Sequence, residues 1–271
     1  MLDRGIEKVI ERKGFTYLFS DVSSAFRQTD AVVINLECPL TNENNPTRKP
    51  FVFQAKPCYA DSLRKMGVTH ACMANNHTYD QGTNGVADTK HYLSKAGIEP
   101  IGVGKTSTER LRPKLIVNGR DTLALFSISF LMPCNWDNKE GAMGINIATA
   151  SQLASTIRLF KQKHQQAKIV VMPHWGIEYD TLASAMQHQQ AETLVNAGAD
   201  LVVGHHPHVM QNSESIRGSN VFYSLGNFVF DQNRKVTQKA AMLEVTLNRG
   251  LLKSQLIPIN ISHFHPTLSM E

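Results

Sequence analysis

The feature that most constrains this fold is a recurrence of short apolar runs, each ending in a polar cluster. The run at 31–36 delivers Glu37, that at 70–74 delivers Asn75-Asn76-His77, and that at 168–172 delivers Pro173-His174-Trp175-Gly176. Those at 199–203 and 221–225 deliver Gly204-His205-His206-Pro207-His208 and Gly226-Asn227-Phe228. Unbroken apolar runs of this length suit strands buried on both faces. Between them, helical periodicity is read at 60–66, 83–96, 150–166 and 183–197, with Gly67, Gly97 and Gly198 as stops. Two further helices, broken near Gly14, are read within 6–28. A short strand is expected at 51–53, others at 98–103, 114–117 and 123–128, and an antiparallel pair at 242–247 and 252–259. The alternation is βαβ, so the class is α/β, read as one domain over residues 1–271.

Composition narrows function mainly by exclusion. The net charge of +5 is spread thinly, so no nucleic-acid patch forms, although a basic balance suits an anionic substrate. Cys38, Cys58, Cys72 and Cys134 lack the C-x-x-C spacing of a metal or redox motif and read as reduced or inert. No apolar run reaches the ~18 residues of a membrane span, and charged residues within 1–20 break any signal-peptide core. The polypeptide as written reads as soluble.

Glu37, Asn76, His77, His174, His206 and His208 stand at the ends of separate strands, where open α/β sheets place ligands. A doubly wound sheet would bring them to one edge. Each alone has a structural reading: Glu37 as a cap, Asn76 as a turn residue, His174 as a satisfied core histidine, His206 and His208 as solvated loop residues. Their shared placement favours chemistry. Pro207 should hold His206 extended, letting both imidazoles of the His-x-His pair point to one side. A carboxylate, an amide oxygen and imidazoles without thiolate suit one or two divalent ions, Mn, Fe or Zn. His77, beside the ligand Asn76 but itself free, is placed as the general acid, and Asp80 and Asn227 as residues orienting the histidines. The segment 41–49 reads as a surface loop. The stretch 130–147 reads as a functional loop or lid, with Trp136 as a candidate carbohydrate or peptide contact.

In order and spacing, the segments Asn35-Leu36-Glu37-Cys38-Pro39-Leu40-Thr41, Ala74 to Gly82, His174 to Tyr179, Gly204 to His208 and Tyr223 to Phe228 carry a resemblance. They closely resemble the bacterial capsule-synthesis CapA family, linked to poly-γ-glutamate production and similar to calcineurin-type metallophosphoesterases. The resemblance implies a metallophosphoesterase-like α/β sandwich with mixed sheets flanked by helices. It also implies a metal set of Glu37, Asn76, His174, His206 and His208, with Asn76-His77 as the catalytic pair. Arg4 and His205 become candidate contacts to an anionic small-molecule or polymer substrate, and membrane-bound polymer-synthesis components become candidate partners. One departure stands out: the family opens with a strand ending in Gly-Asp, whereas this chain starts at Met1-Leu2-Asp3-Arg4-Gly5, just after it. The expectation is a domain truncated at its N-terminus, lacking the usual first strand, with any membrane anchor or signal lying upstream. The accompanying rival is an accessory or scaffold protein with an impaired site.

Overall fold

The computed structural model describes residues 1–131 and 138–269. The helices are α1 (Gly5–Lys13), α2 (Ser23–Arg27), α3 (Tyr59–Lys65), α4 (Gly82–Lys95), α5 (Ser107–Leu111), α6 (Ala150–Lys163) and α7 (Ala185–Asn196). The strands are β1 (Val33–Asn35), β2 (His70–Cys72), β3 (Glu99–Ile101), β4 (Val103–Gly104), β5 (Lys114–Asn118), β6 (Asp121–Ser129) and β7 (Gly144–Ile145). They continue as β8 (Lys168–His174), β9 (Leu201–Val203), β10 (Ser213–Ile216), β11 (Ser219–Phe222), β12 (Lys239–Asn248), β13 (Leu251–Ser262) and β14 (His265–Leu268).

These strands do not form one doubly wound sheet, contrary to the expectation that all polar tips share one edge. They divide into a parallel sheet β1-β2-β3 and a mixed sheet ordered β10-β11-β9-β8-β6-β5, with an antiparallel β12-β13-β14 sheet and a small β4-β7 pair. Period-two alternation assigns the faces. In β8, Ile169 and Val171 join a core with Leu153 and Ile157 of α6 and Leu194 of α7. The intervening Val170 and Met172 pack instead with Cys72 of β2 and Ile101 of β3. On the other side of the first sheet, Ala71 joins Val86 and Leu93 of α4. The two sheets thus lie face to face between outer helices, a sandwich with mixed sheets.

Several local expectations are corrected. No strand forms at 51–53, because the Phe53 N–H donates to the Asp80 carboxylate (2.6 Å) rather than to a neighbouring strand. The run at 98–103 splits at Gly102, whose positive φ of 75° turns the chain and whose Cβ, if present, would lie 2.8 Å from the Ser127 carbonyl oxygen. The edge strands β10 and β14 carry polar, short sequences that give little periodic signal. Strand β1 was expected to be buried, yet its residues are only half-buried. Its hydrogen-bonded partner among the described residues is β2, and its free edge borders a groove of about 680 Å³. Val33, Leu125, Val170, Met172, Leu243 and Val245 line that groove, which extends to Glu37, His206 and His208. Cys38, Cys58 and Cys72 are free thiols; burial pushes Cys38 up to about 11 and Cys72 up to about 12, so neither is a ready thiolate. Of the segment 130–147, residues 132–137, including Cys134 and Trp136, lie outside the described residues.

At the end of β9, Gly204 packs so closely that a Cβ would fall 2.1 Å from the Tyr223 carbonyl oxygen and 2.4 Å from Trp175 Nε1. Trp175 Nε1 donates to that same carbonyl at 2.9 Å, so neither neighbour can give way without losing a buried hydrogen bond. Gly204→Ala is therefore expected to destabilise by about 1–3 kcal/mol. Urea unfolding checks this, and an unchanged midpoint contradicts the packing described.

Candidate metal centre

The first sheet supplies Glu37 just beyond β1 and Asn76-His77 just beyond β2, and a set of asparagine contacts locks the two tips together. Asn75 Nδ2 donates to the Leu36 carbonyl (2.9 Å) and to Asn35 Oδ1 (3.3 Å), and Asn35 Nδ2 donates to Glu37 Oε2 (3.0 Å). The second sheet supplies His174 as the last residue of β8 and the histidines 205–208 after β9. There a parallel bridge continues the ladder: His205 N–H donates to the Pro173 carbonyl (2.9 Å) and Trp175 N–H to the His205 carbonyl (3.1 Å).

Donors from both sheets meet. Glu37 Oε1 lies 3.9 Å from both His174 Nε2 and His208 Nε2. One ligand atom each from Glu37, His206 and His208 falls within 4.8 Å of the others, and His174 Nε2 lies 2.8 Å from Asn76 Oδ1. Glu37, His174 and His208 are buried, and Glu37 Oε1 and His206 Nδ1 have no hydrogen-bond partner among the described residues. Buried polar atoms are normally satisfied, so converging orphans on a carboxylate and an imidazole fit a divalent cation.

His206 and His208 reach this point by a route other than the one expected. Pro207 should have left His206 extended; instead His206 has φ 104° and His208 φ 60°, conformations that L-residues adopt only when surrounding structure imposes them. Burial, together with the ladder contacts of His205, holds the loop there. Asn227 Oδ1 lies 2.9 Å from His208 Nδ1, so that nitrogen carries the proton and Nε2 turns a lone pair toward Glu37. Asn227 Nδ2 donates to Gln232 Oε1 (3.0 Å), and Gln232 Nε2 to the Tyr179 hydroxyl (3.1 Å), which fixes the amide.

His77 sits beside this cluster. Its Nδ1 is 2.8 Å from Asp80 Oδ2 and its ring lies against Phe53, with centroids 4.2 Å apart. Arg4 lies further out, chelating Asp231 through Nε (2.9 Å) and Nη2 (3.0 Å), with its guanidinium 5.3 Å from the Phe53 ring. His205 lines the groove, and Asp3 is committed to the Gln54 N–H (2.8 Å) and the Arg4 N–H (2.6 Å). Three residues that sequence reasoning did not single out matter here: Asn35, Asn75 and Lys49. The two asparagines interrupt or end apolar runs, a legible signal; Lys49 has none.

Electrostatics prepare the cluster for a cation. Desolvation holds His174 well below the ordinary imidazole range and lowers His205 and His206 to about 4, so near neutral pH these rings are neutral. Burial alone would raise Glu37, but the surrounding His174, His208, His77 and His206 outweigh it and hold the carboxyl at about 2.

Comparison with known proteins gives the family. The family profile described as "Bacterial capsule synthesis protein PGA_cap" matches residues 1–232. The chain belongs to that family. It is 34% identical to the "PGA biosynthesis protein CapA" of Bacillus subtilis (strain 168), over 98% of this chain and 70% of that protein. It is 31% identical to the "Capsule biosynthesis protein CapA" of Bacillus anthracis, over 98% of this chain and 66% of that protein. The "Probable polyglutamine synthesis accessory protein Rv0574c" of Mycobacterium tuberculosis is 25% identical over 86% of this chain and 67% of its own length. Among solved structures, a "Putative 5'-Nucleotidase" from Staphylococcus aureus superposes with a TM-score of 0.51 at 14% identity, covering 78% of this chain and 40% of that one. The PGA_cap chain thus has a metallophosphoesterase-like fold. Among its described residues no helix is long and apolar enough to cross a membrane.

The shifted groups make the fold acid-sensitive, with a definite sign. His205 and His206 titrate near 6.5 when unfolded and about 4 when folded, so between those values the unfolded chain binds more protons and stability falls as pH drops. Glu37, lowered from 4.5 to about 2, adds a further loss below pH 4.5. Urea midpoints of metal-free protein should decline from pH 6.5 to 4, with a shallower slope in His206→Gln. A flat profile contradicts the burial of these imidazoles.

Proposed function

We propose that this PGA_cap chain is a metal-dependent hydrolase of phosphoesters or chemically related bonds, working in capsule or poly-γ-glutamate biosynthesis. The observation that carries the reading is the convergence of Glu37, Asn76, His174, His206 and His208, with the His77–Asp80 pair beside them. Glu37, His206 and His208 would hold one divalent ion, and Asn76 and His174 extend the donor set toward a second. Mn, Fe or Zn suits these nitrogen and oxygen donors. When bound, such an ion supplies Lewis-acid polarisation of a phosphoryl oxygen and of a water nucleophile.

The remaining roles belong to the chain itself. Asn227 keeps the Nε2 lone pair of His208 directed inward. Asp80 accepts from His77 Nδ1–H and so directs Nε2 away from itself; as imidazolium the ring carries a second proton on Nε2, gives it to the departing oxygen and is left as the neutral Nδ1–H form. Arg4 and His205 contact an anionic small-molecule or polymer substrate from the rim and the groove. The whole chain acts as one domain in this reading, alongside membrane-bound polymer-synthesis components. A second reading, an accessory protein with an impaired site, draws on the single carboxylate in the cluster, since Asp3 is engaged elsewhere. The mycobacterial relative, named as a probable accessory protein, points the same way.

Hydrolysis of an aryl phosphate with added manganese, measured beside bound metal, tests the proposal. His206→Ala and His208→Ala should lose metal. His77→Ala should retain it while kcat falls about 10²- to 10⁴-fold. Metal-loaded wild type without turnover would favour the accessory reading.

A further inference from the structure

Lys49 closes the segment 41–49, whose composition reads as a surface loop. The structure folds that segment back onto the residues after β2. Thr47 N–H donates to the Asp80 carbonyl (2.9 Å) and Asn45 N–H to Gln81 Oε1 (3.1 Å). The Lys49 side chain is left only 17% exposed. Its ammonium forms an ion pair with Asp80, donates to the Asn76 carbonyl (2.7 Å) and lies 3.1 Å from His77 Nδ1.

Asp80 is fully buried, and a buried carboxylate without a countercharge is strongly unfavourable. Its Oδ2 faces the Phe53 N–H at 2.6 Å and His77 Nδ1 at 2.8 Å, while the other oxygen, Oδ1, faces Lys49. The carboxylate is the nearer of the two neighbours of Nδ1 and accepts a proton borne there, while the Lys49 ammonium, which can only donate, has its own acceptors in Asp80 Oδ1 and the Asn76 carbonyl; this arrangement favours the Nδ1–H form and directs Nε2 away from Asp80. Lys49 is the cation that keeps Asp80 in this orientation. Through the Asn76 carbonyl the same ammonium also steadies the backbone between a candidate ligand and His77.

We infer that Lys49 is a positioning residue, pinning Asp80 and the Asn76 carbonyl and thereby fixing the orientation of His77. Its consequence for turnover rests on the hydrolase reading above, whereas its consequence for the ring does not.

Nitrogen-15 NMR of the His77 imidazole in metal-free protein separates the two. Wild type and Lys49→Arg should show one Nδ1–H form. Lys49→Met should show both neutral tautomers, or exchange of the Nδ1 proton at least about tenfold faster. In the aryl phosphate assay, Lys49→Met should lower kcat about 10- to 100-fold with KM within about twofold, and Lys49→Arg should recover much of the loss. Lys49→Gln supplies the same comparison where the methionine variant does not fold. An unchanged His77 ring in the uncharged variants overturns the inference. Failure of both to fold, with Lys49→Arg folded, also overturns it by assigning Lys49 to stability alone. Wild type without turnover refutes the hydrolase reading and leaves the NMR comparison to decide Lys49.

Discussion

The structure depends on burying one carboxylate among several imidazoles. Glu37 Oε1 is sealed from water and has no hydrogen-bond partner among the described residues, with His174 and His208 nitrogens 3.9 Å away. Desolvation of a carboxylate opposes folding unless charge or hydrogen bonds compensate. Here Asn35 satisfies the other oxygen, and the nitrogen and oxygen donors gathered around the first suit a cation. A bound cation would offset that cost, which is how metal affinity and fold stability would be linked.

The two-sheet arrangement creates this point. Glu37, Asn76 and His77 ride on the parallel β1-β2-β3 sheet, while His174, His206 and His208 ride on the six-stranded sheet. Face-to-face packing of Cys72 and Ile101 against Val170 and Met172 brings the two sets of tips together. Neither sheet alone carries a complete donor set, so the apolar contact between the sheets is what assembles the chemistry. The groove along the free edge of β1 leads to the same cluster.

A second layer of polar residues gives the centre its orientation. Asn75 joins the Glu37 and Asn76 tips, Asn227 and Gln232 set His208, and Lys49 and Asp80 set His77. These residues satisfy buried groups that would otherwise destabilise the fold, and Asn227 and Asp80 also select which ring nitrogen faces inward. Structural and chemical roles coincide in these residues because imidazole orientation is itself a hydrogen-bonding problem.

The α/β class, most strands and helices, and the candidate donors Glu37, Asn76, His174, His206 and His208 were legible in the chain. Apolar runs ending in polar tips are local patterns, and burial of both strand faces writes them directly into residue order. What residue order could not convey was pairing. Whether β1 and β8 share a sheet depends on contacts between residues far apart in sequence, so periodicity left the sheets undivided, and only the resemblance to the CapA family implied the sandwich that the structure has. The same holds for the positive φ at His206, imposed against the local preference before proline, and for Lys49, a lysine in a polar loop like many others. Local periodicity reports which way a side chain faces; which groups it meets there is decided by packing, because long-range burial outweighs the weak local preferences that sequence alone reveals.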